Sequence, residues 1–248
     1  MTDPFSRFGG ALSDTLFEIP TFSAEEAAAL AEAVLADKAH WTDRGWFWTL
    51  GASAYIDPPD IYYANTLKGN SILASTYADA LMRVFEVIGE TSKLSVAPLS
   101  TPENEMPPAG LPGFHIIADR TNGRSGMFHV DLPYQRVFWP GPFIQPFSFT
   151  TLIQTPTGGT GLWHWDDMDM EEGRRIIKET TNDSRTSVNI LEEGRSFTPY
   201  EVGITYFHSG RVPHAIPNMG DIAPGEHRIT IQGHGAYLPE DDVLAVYF

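Results

Sequence analysis

RITIQGHGAYL, residues 228–238, is a run of β-branched, aromatic and small residues in which successive side chains of an extended chain would face opposite ways. Four similar runs precede it: HIIA (115–118), FSFTTLIQT (147–155), SVNIL (187–191) and VGITYFH (202–208). Clusters of Gly, Pro, Asn and Asp separate them, and most of the intervals carry no helical pattern. Short strands joined in that way predict an antiparallel sandwich or barrel rather than a parallel α/β sheet. The β texture begins after STPENEMPPAGLPG (100–113), which is long enough for a loop only. The chain therefore reads as one domain over 1–248, with helical support in 1–100 and a mainly β core in 101–248.

Two amphipathic helices are predicted ahead of that core. SAEEAAALAEAVLADK (23–38) opens with a capping box, Ser23 and Glu26, and sets Ala27, Leu30, Ala31, Val34 and Leu35 on one stripe. NSILASTYADALMRVFEVIGE (70–90) offers Asn70 as a cap and repeats Leu73, Tyr77, Leu81, Val84, Phe85 and Ile88 at spacings of three and four. These helices would buttress one sheet. DDMDMEEGRRIIKETTNDSRTS (166–187) is a charged, partly helical insertion between predicted strands, read as a solvated face, with an active-site lid as the sharper alternative.

Composition narrows the function. The chain has 248 residues, 42% of them hydrophobic, which is ample for a sizeable core. Its formal charge of −16 repels phosphate backbones and anionic membrane surfaces, so neither nucleic acid nor membrane is an expected partner. With no cysteine there is no disulfide framework, thiolate metal site or thiol nucleophile, and ligands must come from His, Asp and Glu. MTDPFSRFGG carries no leader pattern and no long apolar run occurs, which predicts a soluble cytoplasmic protein. TGGTG lacks the features of a phosphate-binding loop, and no G-x-S-x-G is present.

The chemistry-bearing residues begin with FHVDLPY (128–134), where a strand would project His129 and Asp131 from one face. Two polar, metal-competent groups in an apolar segment are expensive to bury without a task. A third ligand would complete a 2-His-1-carboxylate set, which suits Fe(II) and leaves coordination positions open. Downstream candidates are His164, His208, His214, His227 and His234, among which His214 in RVPHAIPNMG stands out by its place between strand-like runs. WHWD (163–166) is a decoy, since it sets His164 and Asp166 at the same spacing, but it follows what reads as a hairpin turn and runs into the acidic insertion. Arg228 heads the strand quoted above, with Thr230 on the same face, and a buried guanidinium there would need a carboxylate. The tryptophans at 46, 48, 139, 163 and 165 read as packing, with Trp139 and Trp163 placed to line a pocket.

H-x-D, a distal His and a following Arg, in that order, resemble the Fe(II)- and 2-oxoglutarate-dependent oxygenases. FWTLGASAYID, GFHII, TGGTGLWHWD and RITIQGHGAYL are further similar to the branch that holds the carrier-independent amino-acid and alkaloid halogenases and their hydroxylating relatives. The resemblance implies a double-stranded β-helix, or cupin-like jelly roll, with helices on its outer sheet. It implies that His129, Asp131 and His214 bind Fe(II), and that Arg228, assisted by Thr230, holds the distal carboxylate of the co-substrate 2-oxoglutarate. With O2, such an enzyme would hydroxylate an unactivated carbon of a small molecule, a free amino acid or natural-product intermediate, releasing succinate and CO2. In halogenating relatives a small residue replaces the carboxylate and vacates a site for chloride, whereas Asp131 fills it here. The alternatives are halogenation, desaturation or cyclisation within the enzyme class, and outside it a non-catalytic cupin-like metabolite binder. The sequence leaves the oligomeric state open.

Overall fold

The computed structural model of the protein describes residues 16–101, 107–119, 128–165, 168, 170–180, 194–217 and 222–248. Strands β1 (Phe17–Pro20), β2 (Thr42–Asp43), β3 (Trp48–Leu50) and β4 (Ser95–Pro98) alternate with helices α1 (Ala24–Ala36), α2 (Pro59–Thr76) and α3 (Ala78–Ser92). They are followed by β5 (Gly113–Ile117), β6 (Ile144–Gln154), β7 (Gly161–His164), α4 (Met170–Thr180), β8 (Ser196–Pro199), β9 (Ile204–Ser209), β10 (His214–Ala215), β11 (Arg228–Leu238) and β12 (Val243–Tyr247). The larger sheet runs β1-β9-β6-β11-β5-β3-β2, with β12 continuing beside β11 and β4 beyond it; the smaller runs β10-β7-β8. All pairings are antiparallel except β12 with β4. This is the mainly β, helix-flanked double-stranded β-helix expected from the sequence. Residues before 101 do more than support it, since they add strands to the larger sheet. No helix among the described residues is long and apolar enough to cross a membrane.

Alternation along each central strand sorts the two faces of the larger sheet. Ile229 and Ile231 of β11, Phe114 and Ile116 of β5, Phe147 and Phe149 of β6 and Phe207 of β9 join the core that holds Val34 of α1 and Leu81, Val84, Phe85 and Ile88 of α3. The intervening residues, Arg228, Gln232, His234, His115, Ser148, Thr150 and His208, line a cavity instead. The period of two thus puts the apolar half of each strand under the helices and the polar half inside the roll. The glycines of QGHG belong to this arrangement: a Cβ on Gly233 would come within 2.4 Å of the Phe149 ring and one on Gly235 within 2.4 Å of the Phe147 ring. They are small because the aromatic residues of β6 fill their side of the sheet.

The capping box forms as expected, with the Glu26 amide donating to Ser23 Oγ (3.2 Å) and the Ser23 amide to Glu26 Oε2 (2.7 Å). The second predicted helix is two helices. Tyr77 leaves the helical path at φ −122°, packs its ring on Phe114 at 4.8 Å between centroids, and directs its hydroxyl to the Ala33 carbonyl and Asp37 at the end of α1. The stripe Leu73, Tyr77, Leu81, Val84, Phe85, Ile88 is nevertheless buried throughout. Asn70 is not a cap either, because α2 starts at Pro59. Its amide donates to the Ala109 carbonyl (2.9 Å) and accepts from the Leu111 amide (2.7 Å), tying α2 to the loop that leads into β5. Asn70→Ala leaves both backbone groups without that partner, and thermal or urea unfolding should show a loss of about 1–3 kcal/mol.

TGGTG is a turn, with the Gly159 amide bonded to the Pro156 carbonyl at 2.8 Å and Gly159 at φ +74°. It does not close a hairpin, however. β6 pairs with β9 and β11, and β7 with β8 and β10, so the turn carries the chain from one sheet to the other. Of the remaining expectations, the SVNIL strand and Asp166 lie outside the described residues.

Candidate active site

FHVDLPY is not a regular strand: its last residues enter a 3-10 turn, Pro133–Gln135, and His129 forms a lone antiparallel bridge with His214, amide to carbonyl in both directions at 3.0 and 2.9 Å. Two residues on, the Asp131 amide donates to the Gly210 carbonyl at 3.0 Å. These bonds hold the segment against the edge of the smaller sheet and turn His129, Asp131 and His214 towards one point. His129 Nε2 lies 3.6 Å from Asp131 Oδ1 and His214 Nε2 3.5 Å from Asp131 Oδ2. One donor atom from each residue lies within 4.8 Å of the others, the only such group of three or more among the described residues.

The surroundings fix these donors. His214 Nδ1–H donates to the Val212 carbonyl at 2.8 Å, which leaves Nε2 as the free lone pair, the arrangement by which metal-bound histidines are oriented. Burial pushes the His214 imidazole down to about 3, against the pull of Asp131, so it is neutral at physiological pH as a ligand must be. Ser148 Oγ donates to Asp131 Oδ2 at 2.5 Å and stands 2.9 Å from His234 Nδ1. A hydroxyl has one hydrogen, so Ser148 accepts from His234 Nδ1–H while it donates to Asp131. His234, Ser148 and His208 are direct cross-strand neighbours on β11, β6 and β9, and they floor the site. His208 packs edge-on to His214 at 4.8 Å between centroids, and Tyr55 lies 5.5 Å from the His129 ring and 6.0 Å from that of His234.

Arg228 lies in the same cavity, of about 350 Å³. It is 1% exposed, its Nε donates to Thr160 Oγ1 at 3.0 Å, and its Nη1 is buried with no hydrogen-bond partner. Burial pushes the guanidinium down to about 10, with Tyr200 opposing, so it keeps its charge at neutral pH. The other arginine of the cavity wall, Arg44, is already committed: Nη1 and Nη2 grip Asp57 at 2.5 and 2.8 Å and Nε donates to Thr49. Leaving a buried guanidinium N–H unanswered costs about 1–3 kcal/mol or more, and an anionic ligand would remove that cost. The donor triad and this arginine therefore fit a divalent cation together with a carboxylate-bearing co-substrate.

Thr230 lies between Arg228 and Gln232 on the same face, but it is fully buried, is not part of the cavity wall, and reaches only the His115 carbonyl, at 3.5 Å. His164 pairs with His214 across β10 and β7, yet its Nε2 meets Thr198 Oγ1 at 3.0 Å and it does not join the donor group. Trp139 and Trp163 do not line the cavity. Trp139 stacks on Phe143, Trp163 lies under Arg195, and the tryptophan in the wall is Trp46. Helix α4, in the charged insertion, packs beside the segments that carry the ligands: a Cβ on Gly173 would come within 2.8 Å of Pro213 and 3.5 Å of Val130.

Fold and cavity together define a class: a double-stranded β-helix with a 2-His-1-carboxylate group and a charged, half-satisfied arginine between its sheets. Solved structures similar to this chain include oxygenases of the 2-oxoglutarate type. An N-substituted L-amino acid dioxygenase from Burkholderia ambifaria, crystallised with α-ketoglutarate (2-oxoglutarate), is similar at TM-score 0.61 and 12% identity over 98% of this chain and 90% of its own. The non-haem α-ketoglutarate-dependent epimerase SnoN from nogalamycin biosynthesis is similar at 0.54 and 12% identity, over 94% and 83%. HygX from Streptomyces hygroscopicus, with nickel and 2-oxoglutarate bound, is similar at 0.52 and 9%, over 95% and 87%. No protein-family model matches the chain, and no curated protein does. At these identities the likeness is one of fold.

Proposed function

We propose that the protein is an Fe(II)- and 2-oxoglutarate-dependent dioxygenase, a single oxygenase unit over 1–248, that hydroxylates an unactivated carbon of a small molecule. Arg228 carries this reading, because a buried, charged guanidinium with an unanswered Nη1 shares one cavity with His129, Asp131 and His214. The bound iron would supply the oxidation that converts 2-oxoglutarate and O2 to succinate and CO2, with one oxygen atom entering succinate and the other the substrate.

The chain's own part is holding and excluding. His129 and His214 would ligate through Nε2, the latter fixed by its bond to Val212, while Ser148 takes Asp131 Oδ2 and leaves Oδ1 to the cation. Arg228, steadied by Thr160, would anchor the distal carboxylate of 2-oxoglutarate, with Thr230 beneath it in the sheet. Trp46, Phe47, Tyr55 and Phe248 wall the remaining space, where they would orient a substrate and keep water out. A small amino acid or natural-product intermediate suits that volume, in keeping with the amino-acid dioxygenase and with the SnoN complex holding Fe3+, α-ketoglutarate and nogalamycin RO. The test is a metabolite screen with Fe(II), 2-oxoglutarate and O2 that follows substrate-dependent succinate and a product with one added oxygen atom. Succinate release that no compound stimulates would count against a small-molecule hydroxylase.

Asp131 also decides between hydroxylation and halogenation. A buried carboxylate at this position both fills the coordination site and supplies the negative charge that chloride would bring. The wild type should give the same hydroxylated product with and without chloride, and Asp131→Gly should lose most hydroxylation. Chlorinated product from the wild type, seen by mass spectrometry, would remove Asp131 from the ligand set.

A further inference from the structure

On the oxygenase reading above, we propose that His115 is a second anchor for the distal carboxylate of 2-oxoglutarate, donating from Nδ1 alongside Arg228. His115 is 8% exposed and lines the same cavity. Its ring is stacked on Phe47, with centroids 4.2 Å apart, and meets Trp46 edge-on at 6.4 Å, so its orientation is fixed by packing. Nδ1 is nevertheless buried with no partner, as is Arg228 Nη1. The two residues are close by register: β5 pairs with β11 so that His115 lies opposite Thr230 and Ile117 opposite Arg228, which places His115 and Arg228 on one face of neighbouring strands.

Charge and chemistry then select the ligand. Burial, reinforced by the Arg228 charge, pushes His115 well below the usual histidine range, so the ring is neutral and carries a single N–H. A ligand beside it must accept hydrogen bonds from both an imidazole and a guanidinium, and a carboxylate has lone pairs enough for both. The side-chain carboxylate that the cavity wall itself supplies, among the described residues, is Asp131, which is committed to the donor triad. An anion arriving in this end of the cavity stabilises the tautomer with hydrogen on Nδ1. Its keto-acid end is then free to face the triad.

The experiment is an anaerobic titration of the Fe(II)-loaded protein with 2-oxoglutarate and, separately, with 2-oxopentanoate, which keeps the keto-acid end and replaces the distal carboxylate by a methyl group. His115→Phe preserves the stacking and removes the donor. It should weaken 2-oxoglutarate about ten- to hundredfold while leaving Fe(II) and 2-oxopentanoate affinity unchanged. His115→Asn, which restores a donor near the Nδ1 position, should recover most of the loss. Should the Phe variant not fold, His115→Met carries the same comparison, with the melting temperature checked for each protein. Unchanged 2-oxoglutarate affinity, or an equal loss for both acids, overturns the assignment. Wild-type protein that binds neither acid overturns the oxygenase reading itself, a result distinct from either.

Discussion

His214→Ala and His129→Ala are each expected to abolish iron-dependent turnover, whereas His164→Ala keeps iron binding. On the proposed assignment each is one of three ligands, and among the described residues no fourth donor joins that group to make good a loss; His234 meets it through Ser148. His164 lies one strand away, bonded to Thr198, so its loss touches packing rather than the donors. Metal content and turnover measured on the three variants separate the cases. Loss of iron from His164→Ala with retention by His214→Ala would move the site to WHWD.

Arg228→Ala is expected to weaken 2-oxoglutarate by about 2–5 kcal/mol, the usual loss when one partner of a buried charge-assisted pair is truncated. The size of the effect follows from burial: at 1% exposure water cannot replace the guanidinium, and a carboxylate entering an apolar hole would carry its full desolvation cost. Thr160, whose hydroxyl takes Arg228 Nε, would be left without its partner but offers no charge. Calorimetric titration with the metal in place measures the change. Affinity equal to wild type would mean that the distal carboxylate binds elsewhere and that Arg228 answers some other anion.

Much of this architecture is legible in the sequence because strand periodicity is local. RITIQGHGAYL coincides with β11, and counting by twos from Arg228 reaches Thr230, Gln232 and His234, the polar face of the roll. The helix stripe ending at Ile88 was equally legible, but the break at Tyr77 was not, since it depends on a ring and a hydroxyl finding Phe114 and α1. Turn chemistry marked TGGTG without saying which strands it joins, because glycine and proline specify a change of direction and not a partner. Ser148, Thr160 and His115 carry no local signal for a similar reason. Ser148 and His115 sit among other strand residues and Thr160 in a turn, and what distinguishes these three is contact with residues far along the chain: Ser148 with His234, Thr160 with Arg228, and His115 across from Thr230. Nearness in sequence to the ligands points to Trp139 and Trp163, whereas the fold brings Trp46 into the cavity wall.

The most direct measurement is an anaerobic titration of the wild type with Fe(II), with 2-oxoglutarate and with both, followed in the visible region and by calorimetry. With the triad and Arg228 in one cavity, 2-oxoglutarate should bind tightly only after iron, and a weak charge-transfer band should appear only when both are present. Binding of 2-oxoglutarate that is indifferent to iron, with no band, would contradict the account.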